Sequence, residues 1–246
     1  MRNLQFMCGR FVSAGSPERI AAYFDPVVPT EVVAESLGQN FNVAPTQDVY
    51  ALVGGRDGAA RLDVFHWGLV PSWAKDRKIG SRMINARAET LAEKPAFKGL
   101  LKAKRCIVPM DGFYEWRPGD EGGPLNAKGK PLKQPMFIHR TDGDPLAVAG
   151  LWTRWKDPED SDGRWLHSVT VITTEANATI APIHDRMPAM LPSDVWATWL
   201  DPGVDDPAAL TPLLVARDED ALSAYEVSTD VNNVRNNRPD LIEPST

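Results

Sequence analysis

The chain has 246 residues, two cysteines, four histidines and a formal net charge of -6. Its length suits one domain with a buried core, and its 43% hydrophobic and 24% charged residues are ordinary for a globular protein. No apolar run reaches the roughly 18 residues of a membrane-spanning helix, and the N-terminus lacks the apolar core of a secretory signal. The cysteines and histidines show neither a disulfide framework nor zinc-finger spacing. We therefore expect a monomeric, cytoplasmic protein with no metal, no small-molecule cofactor and no membrane partner.

The charged residues are unevenly distributed along the chain. Residues 71–105 include ten basic and three acidic residues, whereas residues 201–226 include one basic and seven acidic residues. A basic stretch is most often a solvated surface, and a nucleic-acid interface is the alternative. Charge alone favours the solvated surface.

The first predicted element is a capped helix. Ser16 precedes Pro17, a pair typical of a helix N-terminus, and apolar residues then follow at helical spacing. Further short helices are predicted at 90–97, where a proline bends or ends the helix, at 193–200 and at 207–215.

Strands predominate among the other predicted elements. They are expected at 49–53, 61–67, 107–116 with a break near Asp111, 136–139, 147–152 and 166–173. Residues 117–135 are rich in Gly, Pro and Lys, which predicts an exposed loop, and the polar residues after Arg235 predict a loose tail. Many strands in local succession with few short helices predict an α+β fold on a mainly antiparallel, barrel-like sheet.

Four short segments are not typical of a generic core. They are MCGRF at 7–11, NARAET at 85–90, DGFYEW at 111–116 and IHDRMP at 183–188. In this order they closely resemble the SRAP family, named for SOS response-associated peptidase, whose members are abasic-site processing proteins. Three further segments support the resemblance, namely NVAPT at 42–46, WGLVPSW at 67–73 and GLW at 150–152.

The resemblance implies a domain organisation and a biological setting. One SRAP-type domain would cover residues 8–235, between an N-terminal extension at 1–7 that is absent from the mature protein and a polar tail at 236–246. The resemblance implies that single-stranded DNA containing abasic sites is the partner, and the compact single-domain length suggests a bacterial cytoplasmic protein, associated with the nucleoid after DNA damage.

The resemblance also implies that Cys8 is catalytic and is the first residue of the mature chain. A free α-amine has a pKa of roughly 7.7 to 8.0 and can form a Schiff base with the aldehyde of a ring-opened abasic site. The thiol of the same residue can then close a five-membered thiazolidine ring, a step favoured because it is intramolecular. This chemistry requires a chain that starts at Cys8, through translation from Met7 or another removal of residues 1–7. For an isolated cysteine, a small buried apolar residue would be the simpler interpretation.

Three other residues match catalytic positions of the family. Glu115 would hold the α-amine and shuttle protons, and a burial-tuned pKa would suit it to that task. His184, whose pKa lies near neutrality, would assist opening of the sugar ring and reversal of the crosslink. Asn85 would hold the sugar by hydrogen bonds. Outside these motifs, a solvent-facing glutamate and a structural histidine would be the simpler interpretations.

Five residues are predicted to contact DNA. Arg10 and Arg87 match phosphate-binding positions of the family, where a guanidinium suits the oxygens of a phosphate. Arg186 is a weaker candidate for the same role. Trp73 and Pro45 would line the path of the DNA, where bases stack on aromatic faces with roughly 1–3 kcal/mol each.

Neighbouring residues are predicted to be structural. Glu89 is expected to order its loop by pairing with an arginine. Trp67 is predicted to be mainly a core residue, and Cys106 a buried structural thiol.

Three functions remain open from the sequence. The first is covalent capture of abasic sites in single-stranded DNA, with a β-elimination lyase reaction also available to the Schiff base. The second is a peptidase or autopeptidase that uses Cys8 as its nucleophile. The third is non-catalytic binding of single-stranded DNA.

Overall fold

The computed structural model of the chain describes residues 8–24, 27–29, 37–55, 59–119, 122–125, 129, 131–157, 163–216 and 222–245. The strands are β1 (Phe11–Ser13), β2 (Val27–Pro29), β3 (Asn40–Val43), β4 (Asp48–Gly54), β5 (Ala60–Trp67), β6 (Asn85–Arg87), β7 (Arg105–Met110), β8 (Gly112–Arg117), β9 (Gln134–Arg140), β10 (Leu146–Lys156), β11 (Trp165–Glu175), β12 (Arg186–Pro188) and β13 (Leu222–Glu226).

The helices are short. The α-helices are α1 (Pro17–Tyr23), α2 (Lys98–Ala103), α3 (Trp196–Leu200) and α4 (Pro207–Leu210). Short 3-10 helices lie at Arg77–Arg82, Ala88–Thr90, Ser193–Val195, Thr211–Leu214, Thr229–Asn232 and Pro239–Ile242. None of the helices in the described ranges is long and apolar enough to cross a membrane.

Five strands close into a barrel in the order β5-β4-β7-β10-β11. Antiparallel ladders join each neighbouring pair as far as β11. A short parallel pairing of β11 with β5, Ser168 opposite His66 and Val169 opposite Trp67, closes the ring. The predicted α+β class with a mainly antiparallel, barrel-like sheet is therefore confirmed.

A second, antiparallel sheet of order β13-β9-β8-β1-β3 packs against the barrel. One apolar layer combines residues from inside the barrel, such as Val169 and Trp67, with Phe11 and Phe113 from the second sheet. Cys8 lies in this same layer. Another apolar layer, which includes residues of the barrel strands and of α2, α3 and α4, packs the helices onto the barrel.

Most predicted elements are confirmed, with ends that differ by a few residues. Helix α1 starts as predicted, because the Ser16 side chain accepts a hydrogen bond from the Arg19 amide. The long strand predicted at 107–116 is two strands, β7 and β8, separated by Asp111. Trp67 is fully buried and its indole N–H donates to the Ile84 carbonyl, so its assignment to the core is confirmed.

Three sequence-based expectations are wrong. The helix predicted at 90–97 is a turn, and α2 begins only at Lys98, because Pro95 lacks an amide donor and disfavours helical backbone before it. Arg105, counted in the basic stretch, is buried and donates to the carbonyls of Trp199 and Leu101. The tail is packed rather than loose, since Leu241 is fully buried.

Two sequence-based expectations fall on residues that are partly or wholly outside the described ranges. The extension at 1–7 lies outside them entirely. Much of the predicted loop at 117–135 is described, and it lies between the end of β8 at Arg117 and the start of β9 at Gln134. An isolated bridge between Leu125 and Pro131 interrupts it.

Gly112 tests the packing of β8 against β9. A Cβ atom at this position would lie 2.4 Å from the Phe137 ring and 2.7 Å from the Ile138 carbonyl oxygen. Gly112→Ala should therefore lower the free energy of unfolding by about 1–3 kcal/mol through overpacking. Gly99→Ala is the matched control, because nothing lies within 4 Å of its added Cβ and it is in α2. The control should be neutral or stabilising by about 0.5–1 kcal/mol. Urea unfolding of both variants measures this, and equal effects would contradict the packing.

Candidate active site

Cys8 is held against Glu115 by the pairing of β1 with β8. Phe11 lies opposite Phe113 in this antiparallel ladder, and the Tyr114 amide donates to the Arg10 carbonyl at 2.9 Å. Continuing the register brings the residues before Arg10 alongside Glu115. The backbone N–H of Cys8 donates to Glu115 Oε1 at 2.5 Å.

Glu115 faces the apolar layer between the two sheets. Side chains alternate along a strand, so Glu115 shares a face with Phe113, which lies in that layer, while Tyr114 packs in a separate cluster on the other face. Glu115 is only 3% exposed, so the interpretation of a solvent-facing glutamate is wrong.

Burial sets the protonation of Glu115. Loss of water raises the pKa of the Glu115 carboxyl to about 7, although hydrogen bonds from the amides of Cys8 and Trp116 partly oppose the rise. Both protonation states are therefore populated near neutral pH, which is the condition for a group that both accepts and donates protons.

The backbone and thiol of Cys8 are both unusual. Its φ of 41° lies in the left-handed region, which is costly for a residue with a side chain. Cys8 is fully buried, and burial, followed by the nearby Glu115 charge, raises the pKa of its thiol well above the usual value. The thiol is therefore protonated in the resting structure. Cys106 is also fully buried, as predicted.

His184 is mostly buried beside an exposed carboxylate. Its Nδ1 atom lies 3.0 Å from the Arg186 amide nitrogen, which donates to it, and 2.9 Å from Asp185 Oδ1. The first contact needs Nδ1 without a proton and the second needs it protonated. Burial lowers the pKa of His184 and outweighs Asp185, whose side chain is 87% exposed and hence well solvated. We therefore assign the neutral imidazole, with its proton on Nε2.

Two charged residues link Glu115 to His184. Lys133 lowers the pKa of both groups and Asp185 raises the pKa of both. Glu115 and His184 are therefore both within electrostatic range of Lys133 and Asp185. Lys133 was not singled out in the sequence, since it lies in a loop with no motif.

Strand β11 positions the other segments of the site. On one edge Asn85 lies opposite Val171 and Arg87 opposite Thr173. On the other edge β12 pairs with the end of β11, which places Arg186 opposite Glu175. Arg87 is exposed at this end of the strand.

Arg186 and Glu89 form a bidentate ion pair across the site. The Arg186 guanidinium donates to the two Glu89 carboxylate oxygens at 2.6 and 2.9 Å, and to the Thr173 carbonyl at 2.7 Å. These hydrogen bonds lower the pKa of Glu89. The predicted pairing of Glu89 with an arginine is confirmed. A DNA contact by Arg186 stays a prediction, with much of its donor capacity already occupied.

Arg10 is held by protein groups. Its Nη1 atom donates to Asn42 Oδ1 and to the Val231 carbonyl, each at 2.8 Å, and its guanidinium lies 5.9 Å from the centre of the Trp116 ring. Burial lowers its pKa. A phosphate contact by Arg10 also stays a prediction. No sequence pattern points to Val231, because this residue contributes only a backbone carbonyl.

Trp73 and Pro45 are accessible, as a DNA path would require. Trp73 is 66% exposed, and Pro45 is half-buried next to Thr46, whose φ is 73°. A groove of about 580 Å³ runs beside Trp73, with Lys75, Lys78 and Arg82 among its lining residues. The Trp155 indole fixes this loop by donating to the Ala74 carbonyl at 2.7 Å.

Within the described ranges, no three His, Cys, Asp or Glu side chains converge to hold a metal ion. The groups described above instead comprise carboxyls, one imidazole, one thiol and guanidinium groups. This set suits proton transfer, nucleophilic addition and recognition of an anion.

The fold and the site together define a single-domain barrel protein with a buried cysteine–glutamate pair. The chain belongs to the SOS response associated peptidase (SRAP) family, whose model matches residues 7–234. It is 42% identical over 243 residues to the abasic site processing protein YoqW of Bacillus subtilis (strain 168), covering 96% of this chain and 99% of that one.

More distant relatives share the domain. The abasic site processing protein HMCES of Gallus gallus is 34% identical over 201 residues, which cover 72% of this chain and 56% of that protein. A crystal structure of a protein from Bacteroides thetaiotaomicron has a TM-score of 0.80 and 27% identity, covering 98% of this chain and 100% of that one.

The raised pKa of Glu115 makes the stability of the fold depend on pH. The carboxyl has a usual pKa of 4.5 and a folded pKa of about 7, so the folded state holds the proton more tightly than the unfolded state. Below the lower value both states are protonated and the shift has no effect. Between the two values the unfolded state ionises first, so the free energy of unfolding falls as the pH rises, and the loss is complete above the higher value.

Glu115→Gln should remove this pH dependence. Both proteins are compared in a Cys8→Ala background, which eliminates the thiol. As the pH rises from about 4.5 to about 8, the free energy of unfolding of the Glu115→Gln protein should increase by about 2–3 kcal/mol relative to that of the protein with Glu115, since one pKa unit is about 1.4 kcal/mol. Urea unfolding across this range measures the difference. A difference that stays constant with pH would show that Glu115 is not protonated by burial.

Proposed function

We propose that this protein processes abasic sites in single-stranded DNA by capturing them covalently through Cys8. The observation that carries the proposal is the buried contact between the Cys8 nitrogen and the Glu115 carboxyl, whose pKa of about 7 suits proton transfer. Membership of the SRAP family and the names of its relatives, abasic site processing proteins, support the same conclusion.

The proposed reaction begins with the α-amine of a chain that starts at Cys8. Glu115 takes a proton from the ammonium group, and the freed lone pair attacks C1′ of the ring-opened sugar. A proton then moves from the attached nitrogen to the former aldehyde oxygen, which gives the neutral carbinolamine. The carbinolamine hydroxyl then leaves as water, with a proton returned by Glu115, to give an iminium ion. A lone pair of the Cys8 sulfur forms the C–S bond to C1′, and the π electrons of the C=N bond move to nitrogen, which becomes a neutral amine. The thiol proton passes to the ionised Glu115.

The other candidate residues act on the sugar and the strand. His184, neutral with its proton on Nε2, would supply a proton to the ring oxygen when the sugar opens. Asn85 would orient the sugar, and Arg87, exposed at the end of β6, would bind a phosphate. The exposed Trp73 would stack on a base, which favours a single strand, whose bases are accessible. A monomer would suffice for this chemistry.

A crosslinking assay tests the proposal. Wild-type protein incubated with an abasic oligonucleotide should give an adduct that survives heating in denaturant, whereas Cys8→Ala should give only a Schiff base, detectable after borohydride trapping. Cys106→Ala is the matched control, because Cys106 is buried in the same apolar layer, and it should crosslink like wild type. A heat-stable adduct with Cys8→Ala would overturn the proposal, and so would full loss with Cys106→Ala in a folded protein.

Removal of residues 1–7 is a second candidate activity, favoured by the φ of 41° at Cys8. This torsion is defined by the preceding carbonyl carbon, so its strain, of order 1–3 kcal/mol, disappears once Cys8 is the first residue. The intact mass of the native protein should therefore correspond to a chain starting at Cys8. Native protein that starts at Met1 and still forms the heat-stable adduct at the wild-type level would refute both this removal and the ring chemistry.

A further inference from the structure

Asn42 lies at the centre of a hydrogen-bond cluster that the proposed reaction does not use. It is 1% exposed, and its Nδ2 atom lies 2.9 to 3.3 Å from three backbone carbonyls, those of Val231, Asn233 and Asn236. Its Oδ1 atom accepts from Arg10 Nη1 at 2.8 Å. One buried amide therefore joins the C-terminal segment 228–245, which we name the C-terminal strap, to Arg10.

The strap is itself firmly attached to the rest of the fold. Leu241 is fully buried, and the Tyr225 hydroxyl donates to the Ile242 carbonyl at 2.6 Å. Asn237 accepts from the Phe41 amide at 2.8 Å and donates to the Gln39 carbonyl at 3.1 Å. These contacts are independent of Asn42, so the strap is a fixed support onto which Asn42 and Arg10 are tied.

Arg10 is the anchor nearest to the reactive residue. In a chain that starts at Cys8, only Gly9 separates the terminal residue from Arg10. The Arg10 carbonyl is fixed by the Tyr114 amide, and its guanidinium by Asn42 and the Val231 carbonyl. A short, glycine-containing terminus has several backbone conformations unless the residue that follows it, here Arg10, is held in place. The position of the α-amine relative to Glu115 thus depends on how firmly Arg10 is held.

The chemistry of Asn42 suits this task. Arg10 is partly buried and its hydrogen bonds go to neutral oxygens, so its charge relies on the dipoles of the Asn42 amide and the Val231 carbonyl. An amide side chain supplies an acceptor to Arg10 and donors to the strap carbonyls at once. An aspartate would retain the first function and lose the second.

We propose that Asn42 is a positioning residue for covalent capture, which acts through Arg10 and the C-terminal strap to hold the terminal amine against Glu115. This inference rests on the proposed function. Held in place, the amine reacts as a near-attack conformer, and a small misplacement lowers the rate without weakening DNA binding.

The test separates binding from reaction. DNA affinity is measured with an oligonucleotide containing tetrahydrofuran, which has no aldehyde, and the crosslinking rate constant is measured at saturating abasic DNA. Asn42→Ala should lower this rate constant about tenfold and leave the tetrahydrofuran affinity within about twofold. Asn237→Ala is the matched control, because the strap stays attached through Leu241 and Tyr225 and Arg10 keeps its partners. It should leave both values within about twofold.

A double-mutant cycle shows whether Asn42 acts through Arg10. In an Arg10→Met background, Asn42→Ala should cause little further loss of rate, since the link is already broken. Asn42→Asp provides a second variant should Asn42→Ala fail to fold. It should lower the rate constant about threefold or more, because a carboxylate still holds the guanidinium but donates nothing to the strap carbonyls.

Several results would overturn the proposal. They are a wild-type rate in folded Asn42→Ala, a wild-type rate in folded Asn42→Asp, an equal loss of rate in Asn237→Ala, and multiplicative effects of Asn42→Ala and Arg10→Met. Failure of the proposed function is distinguishable, because the wild-type protein itself would then form no heat-stable adduct.

Discussion

The hydrogen bond from the Cys8 nitrogen to the Glu115 carboxyl is the interaction on which the site depends. A carboxyl placed in an apolar layer loses hydration, and the two amides that donate to it recover only part of that loss. The result is a group whose pKa of about 7 lies well above that of an exposed glutamate. The position of this group is fixed by the β1–β8 register, so the chemistry of the site follows from strand pairing.

Strand pairing brings segments that are distant in sequence next to each other. Strand β11 pairs with β6 on one edge and β12 on the other, which brings the segments of Asn85 and Arg186 to the same end of the barrel. The second sheet contributes Glu115 from the opposite side of the shared apolar layer. The parallel closure of β5 onto β11 completes the barrel. Each segment is short, and its geometry is imposed by its neighbours rather than by local propensity.

Much of the architecture could be predicted from sequence, because apolar residues typical of strands, bounded by turn-forming residues, indicate where strands begin and end. The motifs also indicated candidate segments for the site, although only through resemblance to a family. Sequence could not show that Glu115 faces inward, since the apolar residues around it occupy both faces of β8. The strap was missed for a different reason. Its key groups are the backbone carbonyls of Val231, Asn233 and Asn236. Every residue has a backbone carbonyl, so the residue types do not show which carbonyls accept hydrogen bonds.

Burial of Cys8 also bears on the order of the proposed steps. A thiol whose pKa is raised by burial and by Glu115 stays protonated, so it does not compete with the amine for the aldehyde. Formation of the iminium ion places a positive charge beside the sulfur, and a neighbouring positive charge favours the thiolate. Proton transfer to Glu115 then releases the sulfur nucleophile only after the first bond has formed. One apolar environment, acting on a carboxyl and a thiol in contact with the same terminus, would thus impose the sequence amine first and sulfur second.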